Sequence, residues 1–237
     1  MGRGMLEETN LDMIRDVNQL LYDLPLNPMY DGFLCNHPYY SSPHAMTRDG
    51  LVDLTEVEGY CKAREEMIGY IKESDLIRLY MLIREPYKLL WVKLCKDYLS
   101  SQDFAYYLYD AWVTEDNPNM DVNVSRKESI EMFRSADKKQ LMTEADYEYY
   151  SSLPDIVTIW RGVSPYRIKL GLSWTDDYEK AVWFQHRFEN RTGKRGRLFQ
   201  VKAPKKHILA YLNGRGESEL VTDVFKVQRD IVEITDF

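Results

Sequence analysis

Three short motifs in the last third of the sequence carry side chains that can bind anions, move protons and stabilise a cation. They are Trp160-Arg161-Gly162, Ser173-Trp174-Thr175 and Glu217-Ser218-Glu219. A guanidinium is always charged and offers paired planar donors, which suit a pyrophosphate. A carboxylate can take a proton or stabilise positive charge that develops during bond cleavage. Together these groups could act on a phosphate-bearing sugar.

The spacing within the motifs predicts that their side chains are displayed on extended segments. Arg161 lies at the end of an apparent strand, and Gly162 after it would let a ligand approach the backbone closely. Alternate side chains of a strand share a face, so the hydroxyls of Ser173 and Thr175 would point the same way. The same alternation would bring the two carboxylates of the Glu-x-Glu motif to one side.

Each motif taken alone also fits an ordinary structural role. Arg161 could form a structural ion pair, and Thr175 or Asp176 could cap the helix that follows. The acids of the Glu-x-Glu motif could be solvated surface groups. Trp183 and Phe184 could form one wall for an aromatic ligand, although core packing explains at least one of them.

The order and spacing of the motifs resemble the Arg, Ser-x-Thr and Glu-x-Glu signature of the toxin-type mono-ADP-ribosyltransferases. The similarity covers roughly residues 154–237. Two features depart from the family pattern: the middle residue Trp174 is bulky, and the segment from Ser173 to Glu217 is short. The short segment implies a trimmed target-recognition loop and leaves the acceptor open.

The resemblance implies NAD as a substrate and no metal. In this family the second glutamate stabilises the cation formed when the nicotinamide–ribose bond breaks, and the first helps to deprotonate the acceptor. A guanidinium acceptor needs such a base, so the Glu-x-Glu pair favours transfer to protein arginine. The resemblance assigns catalytic roles to Arg161, Ser173, Glu217 and Glu219, and NAD binding to Arg161, Gly162, Ser173, Thr175 and Phe184.

Other functions share these residues and stay open. The chain could be a nucleic-acid ADP-ribosyltransferase or an NAD glycohydrolase toxin, and the basic stretch between Arg187 and Lys206 favours a nucleic-acid acceptor. It could also be an inactive binding module that kept the fold. The expected partners are a target macromolecule, with protein preferred over RNA or DNA, and an immunity or antitoxin protein. No membrane partner is expected.

Composition limits the protein classes that fit. The 237 residues are 44% hydrophobic and 29% charged, with a formal net charge of −7. These values are typical of a folded protein and argue against a surface devoted to nucleic acid.

Cys35, Cys61 and Cys95 form no CxxC pair, so we expect no disulfide framework. The start of the sequence resembles no signal peptide, and we expect a cytoplasmic protein or one delivered into a host cytoplasm.

Hydrophobic periodicity predicts an α+β fold, with an ADP-ribosyltransferase-like small β-sheet core and an N-terminal helical region. We place the helical region at residues 1–120, as a target-recognition or regulatory part, and the catalytic domain at 121–237. Thr55-x-x-Glu58 and Ser125-x-x-Glu128 match the capping-box pattern of helix starts. The predicted helices cover residues 10–25, 55–83 with a break at Ser74-Asp75, 89–99, 104–113, 125–136 and 143–150. The predicted strands cover residues 157–160, 198–201, 208–211, 220–221 and 231–234.

Overall fold

The computed structural model describes residues 6–29 and 32–235 and has a mixed α+β fold with antiparallel sheets. It divides into two compact units, Met1–Phe104 and Ala105–Phe237. The sequence places the boundary at residue 120, whereas the division falls within the helix Ser101–Thr114. Most of that helix and the Asn117-Pro118-Asn119 turn therefore belong to the second unit.

The first unit contains helices and two short hairpins. We expected helices only, but short strands with proline and polar residues carry too little periodicity to be recognised. The four helices lie where their apolar spacing predicts, including the break after Glu73. The elements are α1 (Leu11–Tyr22), β1 (Asn27–Met29), β2 (Leu34–Asn36), β3 (His44–Thr47), β4 (Gly50–Asp53), α2 (Val57–Glu73), α3 (Leu76–Met81) and α4 (Lys88–Cys95). β1 pairs with β2 and β3 with β4, both antiparallel.

One of the two predicted capping boxes is wrong. Thr55 does not cap α2; its hydroxyl donates to Asp53 Oδ1 at 2.6 Å, and Glu56 is the N-cap residue without a side-chain cap bond. In the second unit the Ser125 box is confirmed, because Ser125 and Glu128 bond reciprocally at the start of the next long helix. The same four-residue pattern thus caps a helix at Ser125 but not at Thr55, whose hydroxyl and backbone N–H both bond Asp53.

The second unit begins within α5 (Ser101–Thr114) and combines short helices with one six-stranded sheet. Its strand order is β10-β7-β5-β6-β9-β8, and all pairs are antiparallel. The elements are α6 (Arg126–Ser135), α7 (Lys138–Leu141), α8 (Glu144–Ser152), β5 (Ile156–Val163), β6 (Ser173–Thr175), α9 (Tyr178–His186), α10 (Glu189–Thr192), β7 (Arg197–Pro204), β8 (Ile208–Leu212), β9 (Glu219–Thr222), α11 (Val224–Val227) and β10 (Val232–Ile234).

The sheet is nearly divided between its two central strands. β5 pairs with β7 along its whole length, but it meets β6 only at Trp160 opposite Thr175. β6 in turn pairs with β9 over three positions, ending at Thr175 opposite Glu219. The two three-stranded halves therefore diverge next to the residues of the three motifs.

Alternation along β5 places an arginine among core residues. Val157, Ile159 and Val163 are buried, and Arg161 shares their face and is only 8% exposed. Gly162 belongs to the opposite face, where α9 packs against the strand. A strand that positions a charged side chain on its buried face needs a polar site to receive it.

Among the residues that the structure describes, no helix has both the length and the apolar character needed to cross a membrane.

Candidate active site

The second unit contains a cleft where the sheet divides, and all the predicted site residues line it. They are Arg161, Gly162, Ser173, Thr175, Phe184, Glu217 and Glu219. The cleft is also lined by residues of three segments without a predicted site role: the end of α5 and the following turn, the loop between β5 and β6, and the end of α9. Trp183 is 57% exposed and does not line the cleft. Of these two adjacent aromatic residues, Phe184 is the one that forms part of the cleft wall.

Glu219 is the first residue of β9 and is buried, with 8% of its surface exposed. The indole of Trp112 on α5 donates its Nε1–H to Glu219 Oε1 at 2.9 Å. The Ser173 hydroxyl also bonds the carboxylate. Both neighbours fix the orientation of this carboxylate inside the cleft.

Burial controls the protonation of Glu219. Loss of water raises the pKa of its carboxyl above the ordinary value, and the charge of Glu217 adds to the rise. The bonds from Ser173 and Trp112 and the charge of Arg215 lower the pKa and oppose the shift only in part. A buried carboxylate held in this way stabilises a neighbouring cation strongly, because little water screens it.

Asn119 connects the turn after α5 to the Ser-x-Thr motif. Its Oδ1 accepts from the backbone N–H of Leu172, and its Nδ2 donates to Ser173 Oγ at 2.8 Å. Because the Ser173 oxygen accepts this bond, its own proton is available to the carboxylate of Glu219, whose pKa it lowers. Asn119 and Ser173 thus connect the turn after α5 to Glu219.

Arg161 anchors the segment that enters β6. Its Nη1 donates to the carbonyl of Ser173, and its Nη2 donates to the carbonyl of Ile168 at 3.3 Å. Gly171 makes room for the guanidinium, since a Cβ there would collide with it. Among the described residues, Arg161 Nε has no hydrogen-bond partner. The sequence suggests phosphate binding for Arg161, but much of its bonding capacity holds backbone carbonyls.

Positive charge is crowded around Arg161. Burial is the main cause that lowers the pKa of Arg161 to about 10; the nearby charges of Arg126 and Arg167 act in the same direction, and Glu219 opposes the shift. Arg167 and Arg187 line the cleft, and each guanidinium lies within 6 Å of the Phe188 ring centre, at 5.9 and 5.1 Å. Neither has a carboxylate partner among residues 6–29 and 32–235. This end of the cleft is suited to an anion.

The Glu-x-Glu motif is not an extended strand. Ser218 has φ +49°, a left-handed conformation that breaks the alternation expected for Glu217 and Glu219. Both carboxylates nevertheless line the cleft, because the turn before β9 brings Glu217 to its rim. There Glu217 Oε2 accepts from Arg215 Nη2 at 2.9 Å. Both carboxylates thus reach the cleft through a turn and not through the strand alternation that the motif predicts.

Two further residue roles differ from the sequence prediction. The space beside Gly162 is filled by helix α9, because a Cβ there would collide with the backbone oxygen of Ala181 and nitrogen of Gln185. Gly162 thus permits close helix packing rather than close ligand approach. The N-cap of α9 is Asp177, not Thr175 or Asp176, and Asp177 N–H donates to Thr175 Oγ1 at 3.1 Å.

Trp112 and Asn119 are functional candidates that sequence reasoning missed. Trp112 lies in an apolar helical segment where a core role is the ordinary interpretation. Asn119 belongs to Asn117-Pro118-Asn119, which reads as a turn. Neither pattern signals a contact with residues 107 and 54 positions later, so only the folded chain identifies them.

The basic stretch that begins at Arg187 does not form one surface. Arg187 lines the cleft, whereas Arg197 lies 3.9 Å from Glu233 and Lys205 donates to the carbonyls of Ser151 and Leu153.

Among the described residues, no group of His, Cys, Asp and Glu has the arrangement of a metal site. No protein-family model, no curated protein and no solved structure matches this chain.

Proposed function

We propose that this protein is an NAD-dependent mono-ADP-ribosyltransferase with an ADP-ribosyltransferase-like sheet core. The observation that carries the proposal is the convergence of Arg161, Ser173 and Glu219, which are distant in sequence, in one cleft. Glu219 is buried there and receives bonds from Ser173 and Trp112. Three surface residues on unrelated faces would have argued against the enzyme.

The charges of the cleft support an orientation for NAD. Arg167 and Arg187, near the buried charge of Arg161, would hold the two phosphates, and a guanidinium is well suited to phosphate oxygens. Phe184 and Phe188 supply apolar surface beside these arginines. The nicotinamide ribose would then lie toward Glu219, with Ser173 supporting both the carboxylate and the sugar.

Bond cleavage would use the buried carboxylate. The bond between C1′ of the ribose and the nicotinamide nitrogen breaks, and nicotinamide leaves as a neutral molecule with the bonding electrons. C1′ becomes electron-deficient, as in glycoside hydrolysis, and the ionised Glu219 stabilises it. Removal of a preorganised electrostatic partner of this kind commonly reduces kcat by about 100- to 1,000-fold.

The acceptor would bind beside the acidic residues of the cleft. Glu217, Glu115 and Asp116 line this cleft, and Glu115 and Asp116 follow Trp112 by about one helical turn. Carboxylates attract a guanidinium, and Glu217 would remove its proton so that a nitrogen lone pair can attack C1′. These acids favour a protein arginine as acceptor.

A nucleic-acid acceptor is the second candidate. The guanidinium carbon of Arg187 lies 5.4 Å from the centre of the exposed Trp183 ring and also lies over the Phe188 ring. Aromatic rings can stack on the bases of a single-stranded nucleic acid, and a guanidinium can neutralise its phosphates. Binding that weakens steeply as salt is raised, with label on RNA or DNA, would favour it over the arginine acceptor.

The experiment is NAD turnover by the purified protein with labelled NAD, cell protein and RNA. We expect nicotinamide release and label on protein in the wild type, and loss of both by at least about 100-fold in Glu219→Gln. Glu217→Gln should lose label on protein while still releasing nicotinamide by hydrolysis. The control Glu179→Gln changes an exposed acid of α9 outside the cleft and should behave as wild type.

The products of this NAD turnover experiment distinguish the candidate functions from one another. Free ADP-ribose as the only product indicates a glycohydrolase, and label on nucleic acid indicates the second candidate. A protein that neither binds nor consumes NAD would be a binding module, and the enzyme proposal would be wrong.

A further inference from the structure

An arginine of this chain occupies the place where the proposed acceptor would bind. Arg215 lines the cleft, and its Nη2 lies 2.9 Å from Glu217 Oε2. Its charge also acts on Glu219, whose pKa it lowers. The side chain of Arg215 keeps 48% of its surface exposed, so it is not locked into the protein interior. A guanidinium thus pairs with Glu217 in the cleft, and its charge acts on Glu219 of the same motif.

The turn that carries Arg215 is held in place by the second unit itself. Gly216 N–H donates to the carbonyl of Asn213 at 2.8 Å, and Ser218 N–H donates to Asn213 Oδ1 at 3.0 Å. Gly214 lies against the hydroxyl of Tyr109 on α5, where a Cβ would collide. These contacts fix the backbone on both sides of Arg215 and keep its side chain near the cleft.

We propose that Arg215 is an intramolecular acceptor and that the protein ADP-ribosylates this residue in cis, an inference that rests on the proposed function. Glu217 takes a proton from the Arg215 guanidinium. A nitrogen of Arg215 then forms a bond to C1′ of the ribose as the bond from C1′ to nicotinamide breaks. Nicotinamide leaves with the bonding electrons, and the proton passes from Glu217 to solvent. The products are ADP-ribosyl-arginine, nicotinamide and a proton.

Tethering favours this reaction over transfer to a free arginine. An acceptor on the same turn as the base is present at a high effective concentration, which can replace a bimolecular encounter. The modified side chain would then place its own ADP-ribose at the acceptor end of the cleft. Self-modification would therefore compete with transfer to external targets.

The test is peptide mapping after incubation of the full chain with NAD. Trypsin cleaves after Arg215 only when that residue is unmodified. We expect the uncut peptide from residue 207 to residue 226 to appear with the mass of one ADP-ribose, in proportion to nicotinamide release. Arg215→Lys should reduce label on the protein by at least tenfold. Arg229→Lys replaces an exposed arginine outside the cleft and should leave the labelling of Arg215 unchanged.

Dilution and mixing distinguish cis from trans modification. A cis reaction proceeds with a rate constant that does not depend on protein concentration, and a Glu219→Gln copy mixed with wild type stays unlabelled. Label on the inactive copy, or nicotinamide release without label at Arg215, overturns the inference but leaves the proposed function standing. Absence of nicotinamide release overturns both.

Discussion

Glu219 combines two properties that oppose each other. The cleft buries its carboxyl, which raises the pKa, while Trp112 and Ser173 bond to the carboxylate and lower it. The proposed chemistry needs the ionised form next to a cation. Folding favours the neutral form, since an ionised group loses more solvation energy on burial than a neutral one. In the proposed mechanism this residue would therefore contribute to function at the expense of stability at neutral pH.

The first residue-scale prediction concerns pH. Nicotinamide release should fall as the pH drops through the raised pKa of Glu219, at a higher pH than an ordinary glutamate would give. Trp112→Phe removes a bond that stabilises the carboxylate, so the pKa rises further and the midpoint moves to higher pH. The pH profile of kcat measures both effects. An unchanged midpoint in Trp112→Phe would show that this indole does not act on the ionisation.

The second residue-scale prediction concerns stability. A carboxyl whose folded-state pKa is raised stabilises the fold fully below its unfolded pKa, and this contribution is lost as pH rises through the folded pKa. Glu219→Gln removes the ionisation and should raise the free energy of unfolding at pH 7–8 by about 1 kcal/mol, as stabilising changes of single sites commonly do. The gain should vanish near pH 4. Thermal unfolding of both proteins across this range checks the sign, and a loss of stability at pH 8 would contradict it.

At the scale of elements, β6 is held more by side chains than by strand pairing on its β5 edge. One residue pair joins it to β5, and Arg161 of β5 adds a bond to the carbonyl of Ser173. Asn119, in the turn after α5, binds the Ser173 hydroxyl and the N–H of Leu172. The cleft exists because the sheet opens here. Polar side chains replace the missing backbone bonds and thereby fix the site residues.

The element-scale prediction compares two variants of Asn119. Asn119→Ala leaves the Leu172 N–H unpaired and should reduce the free energy of unfolding by about 1–3 kcal/mol. Asn119→Asp keeps an acceptor for Leu172 but draws the Ser173 proton away from Glu219. We expect the Asp variant to retain more stability than the Ala variant and still lose kcat. Urea unfolding and nicotinamide release separate the two effects; equal activity in wild type and Asn119→Asp would exclude a positioning role.

At the scale of the whole molecule, the candidate chemistry and most of the net negative charge lie in different units. All the residues that line the cleft fall between Trp112 and Glu219, while residues 1–104 carry most of the excess of acids over bases. The proposal for residues 1–104 is recognition of a target or of an immunity or antitoxin partner. An acidic surface favours a basic partner.

The whole-molecule prediction is that a chain starting at Ser101, which keeps all of α5 and Trp112, still cleaves NAD. Residues 101–237 are enough to form a core of domain size. We expect nicotinamide release within about tenfold of the full chain, because every residue that lines the cleft is retained. Circular dichroism checks that the fragment folds. A folded fragment without release would show that residues 1–100 contribute to the site.

The sequence by itself determined the α+β class, most helices and the strands of the second unit, because these depend on local periodicity and caps such as Ser125 with Glu128. The types and order of the motif residues also gave the candidate site residues, and these line one cleft in the structure. The sequence did not reveal the two hairpins of the first unit, the division inside α5 or the left-handed Ser218.

Only the tertiary structure decided which side chains meet. Trp112 and Asn119 approach Glu219 and Ser173 across large sequence separations, Gly162 faces a helix, and Arg215 lies against Glu217. Such contacts depend on how the sheet opens and how the helices cover it. Local patterns predict elements because propensity and periodicity act between near neighbours, whereas a site forms from long-range packing that no short motif encodes.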